Sequence, residues 1–158
     1  MEKCSKFSLL KLIECLLIPL VAGFLSYLFT KNNINTYNII NKPLLSPPPI
    51  VFMIVWPILY LLMGISYYLI LSCRDGCSQN IDYNIRKKKN GSIIFYSQLF
   101  FNFLWSILFF NLRLYFISFI DLIILLCLVV IMIFKFYKIN KTSAFLQIPY
   151  ALWITFAG

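Results

Sequence analysis

The sequence predicts an all-α integral membrane protein, a single bundle of five transmembrane helices, and three observations carry that expectation. Hydrophobic residues make up 61% of the chain and charged residues 12%, with a mean hydropathy of +0.86. That leaves too little polar surface to cover a globule in water. Five apolar stretches approach the roughly 20 residues that a helix, rising about 1.5 Å per residue, needs to cross about 30 Å of hydrocarbon. The basic residues fall between these stretches in a one-sided pattern.

The first stretch, near Leu9 to Thr30, follows Lys3 and Lys6. No A-x-A-like cleavage site interrupts it, so it reads as a retained helix and not as a secretory leader. Lys11 and Glu14 stand three residues apart on one face and suit an interfacial anchor. The segment from Lys31 to Pro48 contains Lys42 and Pro43 and leads through Pro47 and Pro48 into Pro49. Proline fixes φ and removes a donor, so this segment is expected to be extended and stiff. It reads either as a basic lid or as an ordinary linker. Pro49 then opens helix 2, which runs to about Leu71, with Phe52, Trp56, Tyr60 and Met63 on one face.

Helix 3 is expected from Ser92 to Leu112, with Gln98, Asn102 and Trp105 sharing a face. An amide at bilayer depth requires a partner, so Asn102 must face other helices or a ligand. Helix 4 is expected near Leu114 to Phe134 and carries Asp121 inside the membrane, as a structural carboxyl or as a group for proton or ligand chemistry. Helix 5, from Ala144 to the end, is the shortest, since Lys141 to Gly158 spans only about 25 Å as helix. The whole chain, 1–158, reads as one membrane domain.

Five spans place Lys3, Lys6, Lys11, Arg74, Arg86, Lys87, Lys88, Lys89, Lys135, Lys138 and Lys141 on one side and Lys31, Lys42 and Arg113 on the other. The positive-inside rule then puts the N-terminus in the cytoplasm and loop 31–48 outside. An even number of spans spoils the asymmetry. The same rule accounts for the net charge of +9, so no nucleic-acid partner is expected. The five cysteines, Cys4, Cys15, Cys73, Cys77 and Cys127, are odd in number, and Cys73 and Cys77 fall beside a cytoplasmic loop, which argues against a disulfide framework. There is no histidine, no phosphate-binding glycine loop and no nucleophile elbow. No metal site and no covalently bound cofactor are expected.

What remains is aromatic: 16 Phe, 10 Tyr and 3 Trp. Tryptophan usually sits in interfacial belts, but depth arithmetic puts Trp56 and Trp105 each about 10 Å below the outer face. Trp153 comes out near mid-membrane. Three helices therefore bring one Trp each toward one region, a candidate pocket; side-chain packing of the bundle is the other reading of the same stripes.

Three blocks now identify a resemblance: Lys42-Pro43-x3-Pro47-Pro48-x7-Trp56-x2-Leu59-Tyr60-x2-Met63-Gly64, then Gln98-Leu99-x2-Asn102-x2-Trp105 with Phe109-Phe110 and Asp121, then Pro149-Tyr150-x2-Trp153-x2-Phe156-Ala157. In order and spacing they resemble the tryptophan-rich sensory protein, or translocator protein, family, also called the peripheral-type benzodiazepine receptor family. The resemblance implies a five-helix bundle, commonly a homodimer, that binds porphyrins and other hydrophobic ligands beneath the loop joining helices 1 and 2. It implies ligand contacts at Tyr37, Trp56, Asn102, Trp105, Trp153 and Ala157, to which the facing stripes add Tyr60 and Gln98. The position of Trp56 is tied in some bacterial members to light-dependent porphyrin breakdown, which would make it the catalytic residue of such a reaction. Thr36 and Leu45 stand where many members carry loop Trp residues, and Pro57 stands where a small residue is usual. The sequence stops at Ala157-Gly158, before the sterol-recognition motif of animal members, so sterol binding is not implied.

The expected function is therefore binding of a tetrapyrrole by a sensory or translocator protein in a bacterial cell membrane, with the porphyrin as ligand and membrane lipid as surroundings. Lys42 or Arg113 would meet its carboxylates. The alternatives are a light-driven porphyrin-degrading enzyme and a carrier or channel for other small molecules.

Overall fold

The computed structural model describes residues 8–31, 49–72 and 81–157. Within them the chain is helical and contains no strand: α1 (Leu9–Thr30), α2 (Pro49–Ser72), α3 (Ile81–Ser106), a π-helical turn (Ile107–Asn111), α4 (Tyr115–Tyr137), α5 (Lys141–Phe145) and α6 (Ile148–Ala157). Four segments are long and apolar enough to cross a bilayer: Leu9–Thr30, Ile54–Ser72, Lys88–Asn111 and Tyr115–Tyr137. Their outward faces are rich in exposed Leu, Ile and Phe, such as Leu10, Phe24, Ile58, Phe100 and Phe116, as lipid contact requires.

Three boundaries differ from those read in the sequence. Helix 3 begins at Ile81 and not near Ser92, because its first turns carry the run Arg86 to Lys89, which is too polar for hydrocarbon but compatible with helix. Hydropathy marks the buried stretch of a helix and not its ends. Helix 4 likewise continues to Tyr137.

The third difference is larger. The last segment is not one helix from Ala144; it is two, separated at Leu146 and Gln147. Asn140 starts α5 by accepting a hydrogen bond from the Ser143 N–H at 3.1 Å. Pro149 then has no N–H to give to the Phe145 carbonyl, which ends α5 and lets α6 start afresh.

At the other end of helix 3 the chain widens into the π turn. The Leu112 N–H bonds to the Ile107 carbonyl and the Leu114 N–H to the Leu108 carbonyl, each at 3.1 Å. Arg113 takes a left-handed conformation, φ 54°, to complete the reversal into α4.

The helices close on one core. Met63, Ile70, Phe95, Val129, Met132 and Phe136 are fully enclosed, and Tyr67 stacks on Phe95 at 4.1 Å and 3°. α1 lies directly against α2 where Gly64 meets the Cys15 carbonyl and Leu16 Cα, both 2.8 Å from where a Cβ would stand. α2 is clamped to α5 by Ser66 and Ser143. Each hydroxyl bonds to the other residue's carbonyl, at 2.8 and 2.7 Å. These contacts set α2 antiparallel to α5 and α6, with Ser66 opposite Ser143 at one level and Tyr60 approaching Tyr150 at another.

Candidate functional site

The second of those levels holds the site. Going down α2, Trp56 and Tyr60 are one turn apart and their rings lie 5.5 Å from each other. Trp105 on α3 comes to 6.5 Å from Trp56 at an interplanar angle of 32°. Tyr150 on α6 meets Trp56 edge-on at 6.4 Å. Trp56 is thus bounded by aromatic rings from three helices, while remaining only partly buried itself. Trp105 extends the cluster: Phe109 stacks on it at 5.2 Å and 19°, and Phe110 meets its edge at 6.2 Å. The wider π turn carries both phenylalanines.

Beneath these rings is a polar floor. The Tyr60 hydroxyl donates to Asn102 Oδ1 at 2.8 Å, and Asn102 Nδ2 donates to the Tyr150 hydroxyl at 2.8 Å. Asn102 is 2% exposed and Tyr150 0%. One carboxamide on α3 therefore fastens α2 to α6, with its oxygen and nitrogen fixed in orientation by the two phenols. The arrangement leaves the Tyr150 proton and the second Asn102 N–H as donors. Asp121 on α4 lies within electrostatic reach of Tyr150. It is buried, and its Oδ2 has no hydrogen-bond partner among the described residues.

Gly23 on α1 makes room for this floor. A Cβ there would fall on the Tyr60 ring, 2.7 Å from Cδ2 and 2.9 Å from Cζ. Gly23→Ala is expected to displace the phenol from Asn102 and lower stability by about 1–2 kcal/mol, the scale of a lost buried hydrogen bond. Thermal unfolding in detergent measures it; a Tm equal to that of the unaltered protein would show that Tyr60 is not held by this contact.

Of the residues predicted from sequence, Trp56, Tyr60, Asn102 and Trp105 come together. Gln98 is fully buried one turn from Asn102 along α3, with its Nε2 3.9 Å from Met63 Sδ. Trp153 stands on α6 one turn beyond Tyr150, half-buried, with its ring 5.8 Å from Phe156. Ala157 is the final residue of α6. Tyr37 and Lys42 lie outside the described residues.

Tyr150 was not among the predicted site residues, yet it supplies both a ring to the cluster and a hydroxyl to the floor. A signal for it was present. Gln147, Tyr150 and Trp153 follow the three-residue spacing of one helical face, and Tyr150 belongs to the third block that carries the resemblance. No group of three or more potential metal ligands occurs among the described residues. The chemistry on offer is stacking by π faces together with neutral hydrogen bonding.

Comparison with known proteins gives the chain a family. A sequence model of the TspO/MBR family matches residues 15–158. The chain is 36% identical over 152 residues to the tryptophan-rich protein TspO of Archaeoglobus fulgidus, an alignment covering 96% of this chain and 92% of that protein. It is 29% identical to the tryptophan-rich protein TspO of Chlorobaculum tepidum, with 95% and 90% covered. With the translocator protein of Bos taurus it shares 27% identity, with 90% and 80% covered. The relationship runs through nearly the whole chain and includes the segments that build the aromatic cluster and its floor; the chain belongs to the TspO/MBR family of membrane proteins.

Proposed function

We propose that this chain is a tetrapyrrole-binding sensory or translocator protein whose pocket is walled by Trp56, Trp105 and Tyr150 and floored by Tyr60, Asn102 and Tyr150. The carrying observation is the meeting of aromatic rings from α2, α3 and α6 directly above a fixed neutral polar triad. A flat, conjugated, mostly apolar ligand gains stacking from the rings and orientation from the few polar groups. In this reading α5 and α6 together make the fifth span. In the same reading the N-terminus is cytoplasmic, segment 31–48 is on the outer side, and the protein is a homodimer. Arg113 is exposed at the reversal between helix 3 and α4, on the outer side in this topology, where the ligand's carboxylates would sit.

The test is a titration with a dicarboxylic porphyrin in lipid nanodiscs, read by tryptophan emission. Saturable quenching is expected, since Trp56 and Trp105 both border the proposed site. Quenching that rises linearly with porphyrin, as it does for simple partition into lipid, would falsify the reading.

A second reading, light-driven breakdown of the bound porphyrin with Trp56 as the redox-active residue, is favoured by the contact of Trp56 with both Trp105 and Tyr150. Illumination separates it from binding alone. Products and rates identical to those of free porphyrin in detergent leave only the binding function.

A further inference from the structure

We infer that the bundle holds an internal water site at the break between α5 and α6, formed by the carboxamides of Gln98 and Gln147. Both residues are 0% exposed. Gln98 Oε1, Gln147 Oε1 and Gln147 Nε2 have no hydrogen-bond partner among the described residues, while Gln98 Nε2 reaches only the Met63 sulfur at 3.9 Å.

Helix register brings the two amides to one layer. On α2, Met63 lies between Tyr60 and Ser66; on the opposing strand of helix, Gln147 lies between Tyr150 and Ser143. The upper pair is joined through Asn102 and the lower pair directly, so Met63 and Gln147 are bracketed at the same level. Gln98 touches Met63 and therefore belongs to that level too.

The backbone points the same way. Gln147 sits in the interruption itself: its N–H bonds to the Ala144 carbonyl at 3.1 Å and its carbonyl accepts from the Ala151 N–H at 3.1 Å. Pro149 offers no N–H to the Phe145 carbonyl. Irregular backbone at membrane depth persists where it is packed in protein or lines water. Two enclosed amides unbonded to each other, beside a helix break, meet the requirement that an internal water find two to four polar partners. No charged side chain is needed, and the occupant is neutral.

The sign of a stability change decides the matter. A truly unpartnered buried amide destabilises the fold, so its replacement by leucine should raise the Tm. An amide that holds water loses a bonded group on replacement. Gln98→Leu and Gln147→Leu are each expected to lower the Tm by about 2–4 °C, measured without porphyrin so that the outcome is independent of the proposed ligand. The double variant should lose less than the sum, because a shared water couples residues that do not bond to each other. A raised Tm in either single variant, or strictly additive losses, overturns the inference.

A second measurement needs no substitution. The chain has three glutamines, Gln79, Gln98 and Gln147, and side-chain 15N labelling of the intact protein reports magnetisation transfer from water to each amide. Transfer at Gln98 and Gln147 is expected. Its absence at both overturns the site whether or not the leucine variants fold.

Discussion

Asn102→Leu is expected to lower stability by about 2–4 kcal/mol, the largest loss of any single polar substitution in the bundle. The reason is that one side chain serves two helices. Leucine leaves the Tyr60 and Tyr150 hydroxyls buried together without their common partner, and each stranded hydroxyl costs about 1–3 kcal/mol. Interhelical hydrogen bonds within membranes average toward the lower end of that range. For a chain of this length the change corresponds to roughly 5–15 °C in Tm. Tyr60→Phe and Tyr150→Phe keep the rings and each remove one bond, so each should cost about 1 kcal/mol. If Asn102→Leu unfolds no earlier than Tyr150→Phe in differential scanning fluorimetry, the carboxamide is not the fastener described above.

The second large effect belongs to the approach of α1 to α2. Gly64→Val is expected to cost about 3 kcal/mol or more, because the obstructing Cys15 carbonyl and Leu16 Cα are backbone atoms that cannot rotate aside. Even the single methyl of Gly64→Ala should be destabilising, despite alanine's advantage of about 1 kcal/mol within a helix. Gly91 is the matched control. A Cβ there meets Phe136 Cε1 at 3.4 Å and Ile70 Cγ2 at 3.8 Å, ordinary contact distances, so Gly91→Ala should be neutral or stabilising. Equal Tm changes at the two glycines would mean that helix propensity and not helix approach governs both.

The extent to which the fold could be read from sequence follows the physics of each signal. The long spans were legible because a bilayer demands continuous apolar length, and the stripes on α2 and α3 were legible because helical spacing puts Trp56 with Tyr60 and Asn102 with Trp105. Hydropathy is blind to helix that leaves the hydrocarbon, so it carries no signal for the helical turns from Ile81 to Gly91. The break at Gln147 was concealed for a different reason. Pro149 marks an interruption, but an apolar composition on both sides of it reads as one span.

Tyr150 was missed because its importance is relational. Its spacing with Gln147 and Trp153 marks a helical face without saying what that face meets; its value comes from Asn102, 48 residues away, and from Trp56 on a third helix. Depth arithmetic brought the tryptophans to a common region, yet only the pairing of helices shows that Trp56 and Trp105 are neighbours while Trp153 stands one turn further along α6.

We propose the aromatic cluster above the Tyr60, Asn102 and Tyr150 floor as the ligand pocket. The most direct test of that assignment is the affinity of a dicarboxylic porphyrin for the Trp56→Phe, Trp105→Phe double variant, the two walls that face each other at 6.5 Å, followed by porphyrin absorbance so that the readout does not depend on the removed fluorophores. Affinity at least tenfold weaker than that of the unaltered protein is expected, about 1.4 kcal/mol, with the fold retained because phenylalanine preserves much of the packing. Unchanged affinity in a folded double variant would contradict it and locate the porphyrin elsewhere on the molecule.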